Sequence, residues 1–484
     1  MRLQNYMNEA QNQLKQWKDY VKTIPMLKAG VKVLDKIEKR GYKAWIVGGS
    51  VRDIIIGKTP HDVDICTTAP MDLLAKMWKT YDIGASKDFG IVTIKEGGYS
   101  FELAQLRSDG KYKDGRKPEK VSFNVELKDD LARRDLQVNA MAIDVDGNII
   151  DYFGGQKAIR NKVLKTVGNP YERFSEDYLR IMRVARFSSK MGFDIDKDTK
   201  RAATKLSGNI TNLSPERIKE ELLKSAAQSG DKFAKYILLL DELKILKHIL
   251  PELKQLQYSK ENPTHHPETI GKGGSPFTHT IEALKASNTK DPLKNLAIML
   301  HDVGKGTAFS DTTPGKSFTY YGHDKDAIKL IEVIAKRLKM STKEKEALLY
   351  TASQHMKFHK LSSMKPSKIF KIVNDDNFDI LVAVARADEF SRGERFMSSK
   401  DFDKSLEIAI KIKEKWGEKQ AKTTLKLVDG KHVMELLGIG PGKKVGEIIR
   451  KTTEWILDNN VDIKDVDKID QFIRRLNNEN RRED

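Results

Sequence analysis

Cysteine is nearly missing from this chain: Cys66 is the one thiol among 484 residues. A single cysteine excludes an intramolecular disulfide framework and any thiolate-rich zinc site, and it fits a reducing compartment. Long apolar runs are missing too. No stretch reaches the roughly eighteen residues needed to cross a bilayer, and residues 1 to 27 mix Asn, Gln, Lys and Asp where a signal peptide would be uninterruptedly apolar. The expectation is a cytoplasmic protein with no membrane partner. Acidic side chains are the minority sign, 69 against 87 Lys and Arg, so the formal charge of +18 favours a polyanionic partner such as RNA or DNA.

What is present suggests several domains, since 39% hydrophobic content at this length can fill more than one core. Residues 1 to 40 read as a helical extension. From Ala44 the texture changes to a strand at 44 to 47, a glycine turn, a helix near Val51, and strands at 62 to 66, 91 to 95 and 99 to 105, which predicts an α/β or α+β core. Residues 107 to 120 are charged, glycine-bearing and poor in apolar anchors, which predicts a mobile loop. Beyond Pro170 the periodicity turns helical, at 178 to 190, 214 to 225, 232 to 240 and 243 to 249. Three prolines and three glycines between 258 and 276 mark a boundary. A helical region to about 395 follows, then a Lys-rich helix at 404 to 415 and a Gly-Pro-Gly turn at 440 to 442.

The densest chemistry lies between Gly48 and Thr67. Gly48 and Gly49 end a strand, and a turn without side chains lets phosphate approach backbone N–H groups at the next helix start. Asp62 and Asp64 are one residue apart in a predicted strand, so both carboxylates share a face while Val63 and Ile65 point away. Such a pair is either a solvated strand end or a site for a hard divalent cation, and beside a triphosphate that cation is Mg²⁺. Glu102, alternating with Phe101 and Leu103, is either a third carboxylate or the solvated face of an edge strand. Arg133 and Arg134 offer planar donors to phosphate or ribose, with Asp135 able to accept from a sugar hydroxyl; the same three residues also fit a salt-bridged helix start. Asp177 and Arg180, three apart on a predicted helix, can together present an acceptor and a donor to the edge of cytosine or adenine.

These runs, in this order, resemble the class II tRNA nucleotidyltransferases, the CCA-adding enzymes, and their relatives the bacterial poly(A) polymerases. Gly48-Gly49-Ser50-Val51-Arg52-Asp53 with Asp62-Val63-Asp64 is similar to the family's metal-binding signature, and Leu131 to Asp144, through Arg133-Arg134-Asp135 and Asn139-Ala140-Met141-Ala142, to its ribose-recognising motif. Asp151-Tyr152-Phe153-Gly154-Gly155 resembles the hinge motif, Glu176 to Arg180 with Arg183 and Arg186-Phe187 the base-selecting motif, and Leu213 to Arg217 with Glu220-Glu221-Leu222 the helix-capping motif after it. Arg107, Asp109, Tyr112, Asp114, Arg116 and Pro118 match the family's flexible loop; residues 104 to 106 and 136 to 138 depart from the usual pattern. The resemblance implies a polymerase-beta-like head that binds CTP and ATP at Gly48, Gly49, Arg52, Arg107, Arg133, Arg134, Asp135, Asn139, Asp177, Arg180, Arg183 and Arg186. It also implies catalysis at Asp62 and Asp64 with Mg²⁺.

A second constellation comprises His279, His301, Asp302, His323, His355 and Asp388. Imidazoles and carboxylates spread over several helices suit a metal, with Asp302 able to bridge two ions. The set resembles the HD-domain phosphohydrolases, which implies an active phosphodiesterase or phosphatase with Mn²⁺, Ni²⁺, Co²⁺ or Mg²⁺, the alternative being a decayed scaffold of the same fold. Farther on, Gly440, Gly442, Lys443 and Lys444 form either a phosphate anchor or an ordinary basic helix start. The surrounding region resembles the family's tail, which holds the tRNA elbow.

The expectation is therefore an α+β fold. It comprises an extension (1–40), a nucleotidyltransferase head (41–167), a helical neck and body (168–257), an all-helical HD phosphohydrolase domain (258–395) and a helical RNA-binding tail (396–484). The expected reaction is stepwise addition of CMP and AMP to the tRNA 3′ end. Poly(A) polymerase, a partial CC-adding or A-adding enzyme, and a catalytically silent RNA-binding protein are its rivals.

Overall fold

The computed structural model describes residues 17–81, 90–110, 112–113, 117–118, 121–123, 125–261, 266, 269–272, 274–307, 320–392, 400–416 and 428–480. Two compact units emerge, one of residues 1–221 with 235–249, the other of residues 222–234 with 250–484. Among the described residues, no helix is long and apolar enough to cross a membrane.

The first unit is built on a six-stranded sheet. Its strands are β1 (Ala44–Val47), β2 (Asp64–Thr67), β3 (Ile91–Glu96), β4 (Tyr99–Gln105), β9 (Ala142–Ile143) and β10 (Ile149–Ile150), in the order β10-β9-β1-β2-β4-β3. β1 runs antiparallel to β2 and β9, and β2 parallel to β4. All four β1 residues, Ala-Trp-Ile-Val, are buried, as a central strand covered on both faces requires. The helix Pro25–Glu38 lays Leu27, Val33, Leu34 and Ile37 against this sheet, each such burial contributing about 1.5–3 kcal/mol. Gly30 permits the close crossing, since a Cβ there would meet Val63 at 3.2 Å and Phe101 at 3.3 Å.

The sequence-based boundaries need four corrections. β2 begins at Asp64, leaving Asp62 in the approach to the strand, although Val63 at 2% exposure still alternates with its neighbours. The segment expected to be a loop carries strands instead: β5 (Arg107–Asp109) pairs antiparallel with β8 (Val121–Phe123), and β6 (Tyr112–Lys113) with β7 (Lys117–Pro118). Backbone pairing needs no apolar anchors, which is why composition missed it; Asp114 and Arg116 lie outside the described residues. Asp177 is not helical. Its φ of −152° and ψ of 106° break the chain between helices Pro170–Glu176 and Leu179–Met191. The helix expected at 243 to 249 shrinks to Leu246–Ile249, because Lys244 takes a left-handed φ of 61°.

In the second unit, helices Pro276–Ala286, Pro292–Leu300, His323–Arg337, Thr342–Phe358 and Phe378–Ser391 pack on one another. Their starts follow the sequence. Ser275 and Asp291 accept from first-turn N–H groups ahead of Pro276 and Pro292, and Ser341 forms a reciprocal capping box with Glu344. Val433, Val445, Ile448, Ile456, Ile469 and Ile473 form a further apolar core among helices Gly430–Leu437, Lys443–Asp458 and Val466–Asn480.

Candidate active sites

Gly48 links β1 to the helix Gly49–Ile55 with a φ of 77°, a conformation that favours glycine. Its lack of a side chain matters as much: a Cβ would lie 2.8 Å from Arg134 Nη1 and 3.7 Å from Asp64 Oδ2. The turn thus opens into a cavity of about 490 Å³ lined by Gly48, Gly49, Arg52, Asp53, His61, Asp62, Asp64, Arg133, Arg134, Asp135, Asn139, Asp177, Arg180, Arg183, Arg186, Phe187 and Lys190. Every expected nucleotide-site residue of the head is there except Arg107, and Glu102 is also outside the lining. Glu102 nevertheless sits on β4 beside β2, where Ile65 pairs with Leu103, and its charge reaches Asp64.

Electrostatics divides the cavity. Asp64 is pushed up to about 6, first by burial and then by the charge of Asp62, against the opposing pull of Arg134. Two carboxylates held this close fit a divalent cation, which would remove the repulsion that raises Asp64. Cation binding should consequently be linked to pH. With the Asp64 carboxyl pushed up to about 6, protons compete below that value, and Mg²⁺ affinity should weaken about fivefold between pH 6 and 5 while staying nearly flat above pH 7. Calorimetric Mg²⁺ titration at pH 5, 6 and 7.5 measures this, and an affinity independent of pH would separate Asp64 from the cation.

At Asp135 the charge balance reverses. Burial alone would raise Asp135, but Arg183, by charge and through a 2.7 Å bond from its Nε, brings it down to about 2. Asn139 donates to Asp135 Oδ1 at 3.3 Å and accepts from Arg52 Nη1 at 2.7 Å, so a hydrogen-bonded chain Arg52-Asn139-Asp135-Arg183, buried at its first three members, lines the cavity. Asp177 accepts from Leu179 N–H at 3.1 Å and from Arg217 at 2.7 Å; Arg180 donates to Glu176 and to the carbonyls of Arg173 and Arg133. Arg217 thus orients the acidic half of the expected base-reading pair.

One residue not singled out in the sequence supports the arginines. Asp130, with no exposed surface, accepts from Arg133 Nε and Nη2 at 3.0 and 2.7 Å, and from the backbone N–H of Arg107 at 3.4 Å, with Arg134 Nη2 at 3.6 Å. The spacing i, i+3, i+4 on the Leu127–Ala132 helix was the available signal.

The second unit assembles the other expected set. Two overlapping groups could hold a metal ion, His279-His301-Asp302 and Asp302-His323-His355, sharing Asp302. His301, His323 and His355 each turn Nδ1 toward a carbonyl three residues back, at 2.7–2.8 Å, leaving Nε2 buried without a hydrogen-bond partner. That arrangement fits a metal, whose histidine ligands are commonly oriented through the far nitrogen. Asp388 stands beside His279 Nε2 at 3.2 Å and belongs to neither group. Burial would raise Asp302, yet Lys305, 2.9 Å away, and His301 hold it well below the usual carboxylate range. Lys305 is tied in turn to Glu261 at 2.7 Å. Glu261, and His359 at 3.2 Å from Asp388, were not found from the sequence, because lone residues outside the motif carry no spacing signal. Gly440, Gly442, Lys443 and Lys444 lie elsewhere in this unit, at the exposed start of the Lys443–Asp458 helix.

Residues 44–165 match the Poly A polymerase head domain, and residues 192–256 match the Probable RNA and SrmB- binding site of polymerase A. The CCA-adding enzyme of Bacillus pumilus is 42% identical over 195 residues, 40% of this chain and 48% of that enzyme, so the chain spans about half the length of that relative. The CCA-adding enzyme of Lactobacillus johnsonii is 36% identical over 298 residues, covering 58% of this chain and 71% of that enzyme. The crystal structure of the Bacillus stearothermophilus CCA-adding enzyme in complex with CTP has a similar fold, with a TM-score of 0.71 at 22% identity over 95% of this chain and 100% of that one. A matched head domain with Asp64 at the start of a sheet strand and Asp62 in the approach to it, together with a relative matched over most of its length, makes this chain a member of the CCA-adding enzyme family.

Proposed function

We propose that the protein is a CCA-adding tRNA nucleotidyltransferase, transferring CMP and then AMP from CTP and ATP to the 3′ end of tRNA with release of pyrophosphate. The observation that carries this reading is the cavity of the head, which joins the carboxylates Asp62 and Asp64 to six arginines around a side-chain-free turn. Mg²⁺ bound at Asp62 and Asp64 would supply Lewis-acid charge to lower the pKa of the attacking 3′-hydroxyl and to neutralise the leaving pyrophosphate. Gly48 and Gly49 leave room for phosphate at the start of a helix, and Arg133 and Arg134, held by Asp130, donate to phosphate and ribose oxygens. Asp135 accepts from the sugar, with Asn139 and Arg183 fixing its carboxylate. Asp177, oriented by Arg217, accepts from the exocyclic amine that cytosine and adenine share, while Arg180 donates to the neighbouring ring nitrogen. Glu102 adds a third negative charge beside Asp64, while Arg107, at the base of the β5–β8 ribbon, lies outside the cavity lining and pairs with Asp109 at 3.3 Å.

The test is a tRNA lacking its terminal CCA. CTP alone should extend it by two cytidines, and CTP with ATP should complete CCA and stop. Absence of cytidine incorporation would overturn the reading; a long adenosine ladder from ATP alone would indicate a poly(A) polymerase, and arrest at CC or a requirement for a CC-ended substrate a partial enzyme.

The helical unit supports a second activity, that of an HD-type phosphohydrolase acting on phosphate or cyclic phosphate at RNA ends. Its support is the three buried Nε2 atoms converging on Asp302. Bound by His279, His301, Asp302, His323 and His355, a divalent ion such as Mn²⁺, Ni²⁺, Co²⁺ or Mg²⁺ would supply a polarising charge to phosphate and water. Gly440, Gly442, Lys443 and Lys444, at the N-terminal end of a 16-residue helix, suit a phosphate of the tRNA elbow.

A further inference from the structure

Phe187 lines the cavity and, although it closes the motif that resembles the base-selecting one, has no chemical role of its own above; three guanidiniums gather around its ring. The Cζ atoms of Arg52, Arg183 and Arg186 lie 5.3, 5.4 and 4.5 Å from the ring centre, while the side chain is 7% exposed. Arg183 and Arg186 share its helix, four and one residues back. Arg52 arrives from the Gly49–Ile55 helix behind the glycine turn. The ring therefore joins the element that bears the turn to the element that bears Arg180.

Three like charges converging on one point repel, so something must offset them when the cavity is empty of anion. Part of the offset is acidic: Arg52 donates to Asp53 at 2.7 and 2.9 Å, Arg183 to Asp135 at 2.7 Å, and Arg186 to Glu221. Each of these bonds restrains one edge of a guanidinium. The negative face of an aromatic ring attracts cations without consuming an N–H donor, so it can restrain the guanidiniums in addition to these bonds and to the one Arg52 Nη1 donates to Asn139. An aliphatic side chain of similar volume would fill the space and provide neither effect.

We propose that Phe187 is a positioning residue for the phosphates of the incoming nucleoside triphosphate, holding Arg52, Arg183 and Arg186 as one prearranged cationic cluster. The inference rests on the nucleotide-transfer reading of this cavity. Phosphate is the part that CTP and ATP share, so a cluster that binds it makes the effect of Phe187 equal on both.

The test compares Phe187→Leu, Phe187→Tyr and Phe187→Trp with the wild-type full chain, using steady-state addition to truncated tRNA and calorimetric binding of inorganic tripolyphosphate. Phe187→Leu should raise KM for CTP and ATP together by about tenfold, with kcat changed by less than about threefold and tripolyphosphate binding weakened in parallel. The aromatic variants should restore both to within about threefold of wild type. Unchanged KM and tripolyphosphate affinity in Phe187→Leu would overturn the proposal, as would an aromatic variant no better than leucine, because packing alone would then explain the residue. A wild-type protein that adds neither CMP nor AMP would instead overturn the underlying reading of the cavity.

Discussion

Asp64→Ala is expected to lower nucleotide addition by at least about three orders of magnitude, with Asp64→Asn, which keeps the shape, falling as far. The reason lies in the energetic cost of keeping that carboxylate charged. Burial and the neighbouring Asp62 raise it to about 6, and Arg134 compensates only in part. Below the unfolded value near 3.8 both states are protonated. Between there and 6 the native protein binds more protons than the unfolded chain, so stability declines as pH rises, and above 6 the full penalty applies. Roughly two units correspond to about 3 kcal/mol as an upper figure. Asp64→Asn should therefore melt higher than wild type at pH 7.5 without divalent ions, and the difference should shrink at pH 5 or when Mg²⁺ is added. Losing activity while gaining stability is the signature of a charge retained for function. Equal rates of addition by wild type and Asp64→Ala on truncated tRNA would remove Asp64 from the catalytic role, and a lower melting temperature for Asp64→Asn would remove the electrostatic argument.

Much of the head is legible in one dimension because its constraints are local. A buried four-residue strand leaves a continuous apolar run in the sequence, a glycine turn a missing side chain, and the alternation around Asp64 a spacing of two. The base-selecting segment is less legible. Asp177 and Arg180 have the spacing of one helical face, yet the chain breaks at Asp177, where its carboxylate caps the following turn through Leu179 N–H and binds Arg217, forty residues on. Such a partner is set by tertiary packing and leaves no local trace. The ribbon from Arg107 to Phe123 was unreadable for a different reason. Its strands are held by backbone bonds, to which charged side chains contribute nothing that composition can register. Asp130 lies between these cases, hidden in composition but visible in helical spacing once Arg133 and Arg134 are recognised as a pair.

The histidine cluster makes a separable claim, tested by Asp302→Asn. Its carboxylate is 4% exposed; Oδ2 lies 3.3 Å from His301 Nε2 and 3.7 Å from His279 Nε2, and Oδ1 lies 3.5 Å from both His323 and His355. It is thus the shared member of both possible ligand groups. Breaking a buried ion pair commonly costs about 3–5 kcal/mol because the partner charge is stranded. Here Lys305 keeps Glu261 at 2.7 Å, so the loss in Asp302→Asn should stay below that range and leave the fold intact. Phosphohydrolase activity toward a 2′,3′-cyclic phosphate substrate should fall at least about a hundredfold, and bound metal per chain measured by mass spectrometry should fall with it. Addition of CMP and AMP should be unaffected, as hydrolysis should be in Asp64→Ala. This crossed pattern distinguishes two chemical centres from one: if Asp302→Asn left hydrolysis and metal content unchanged, the converging imidazoles would be a packed polar core, and if it abolished nucleotide addition as well, the two activities would not be separable.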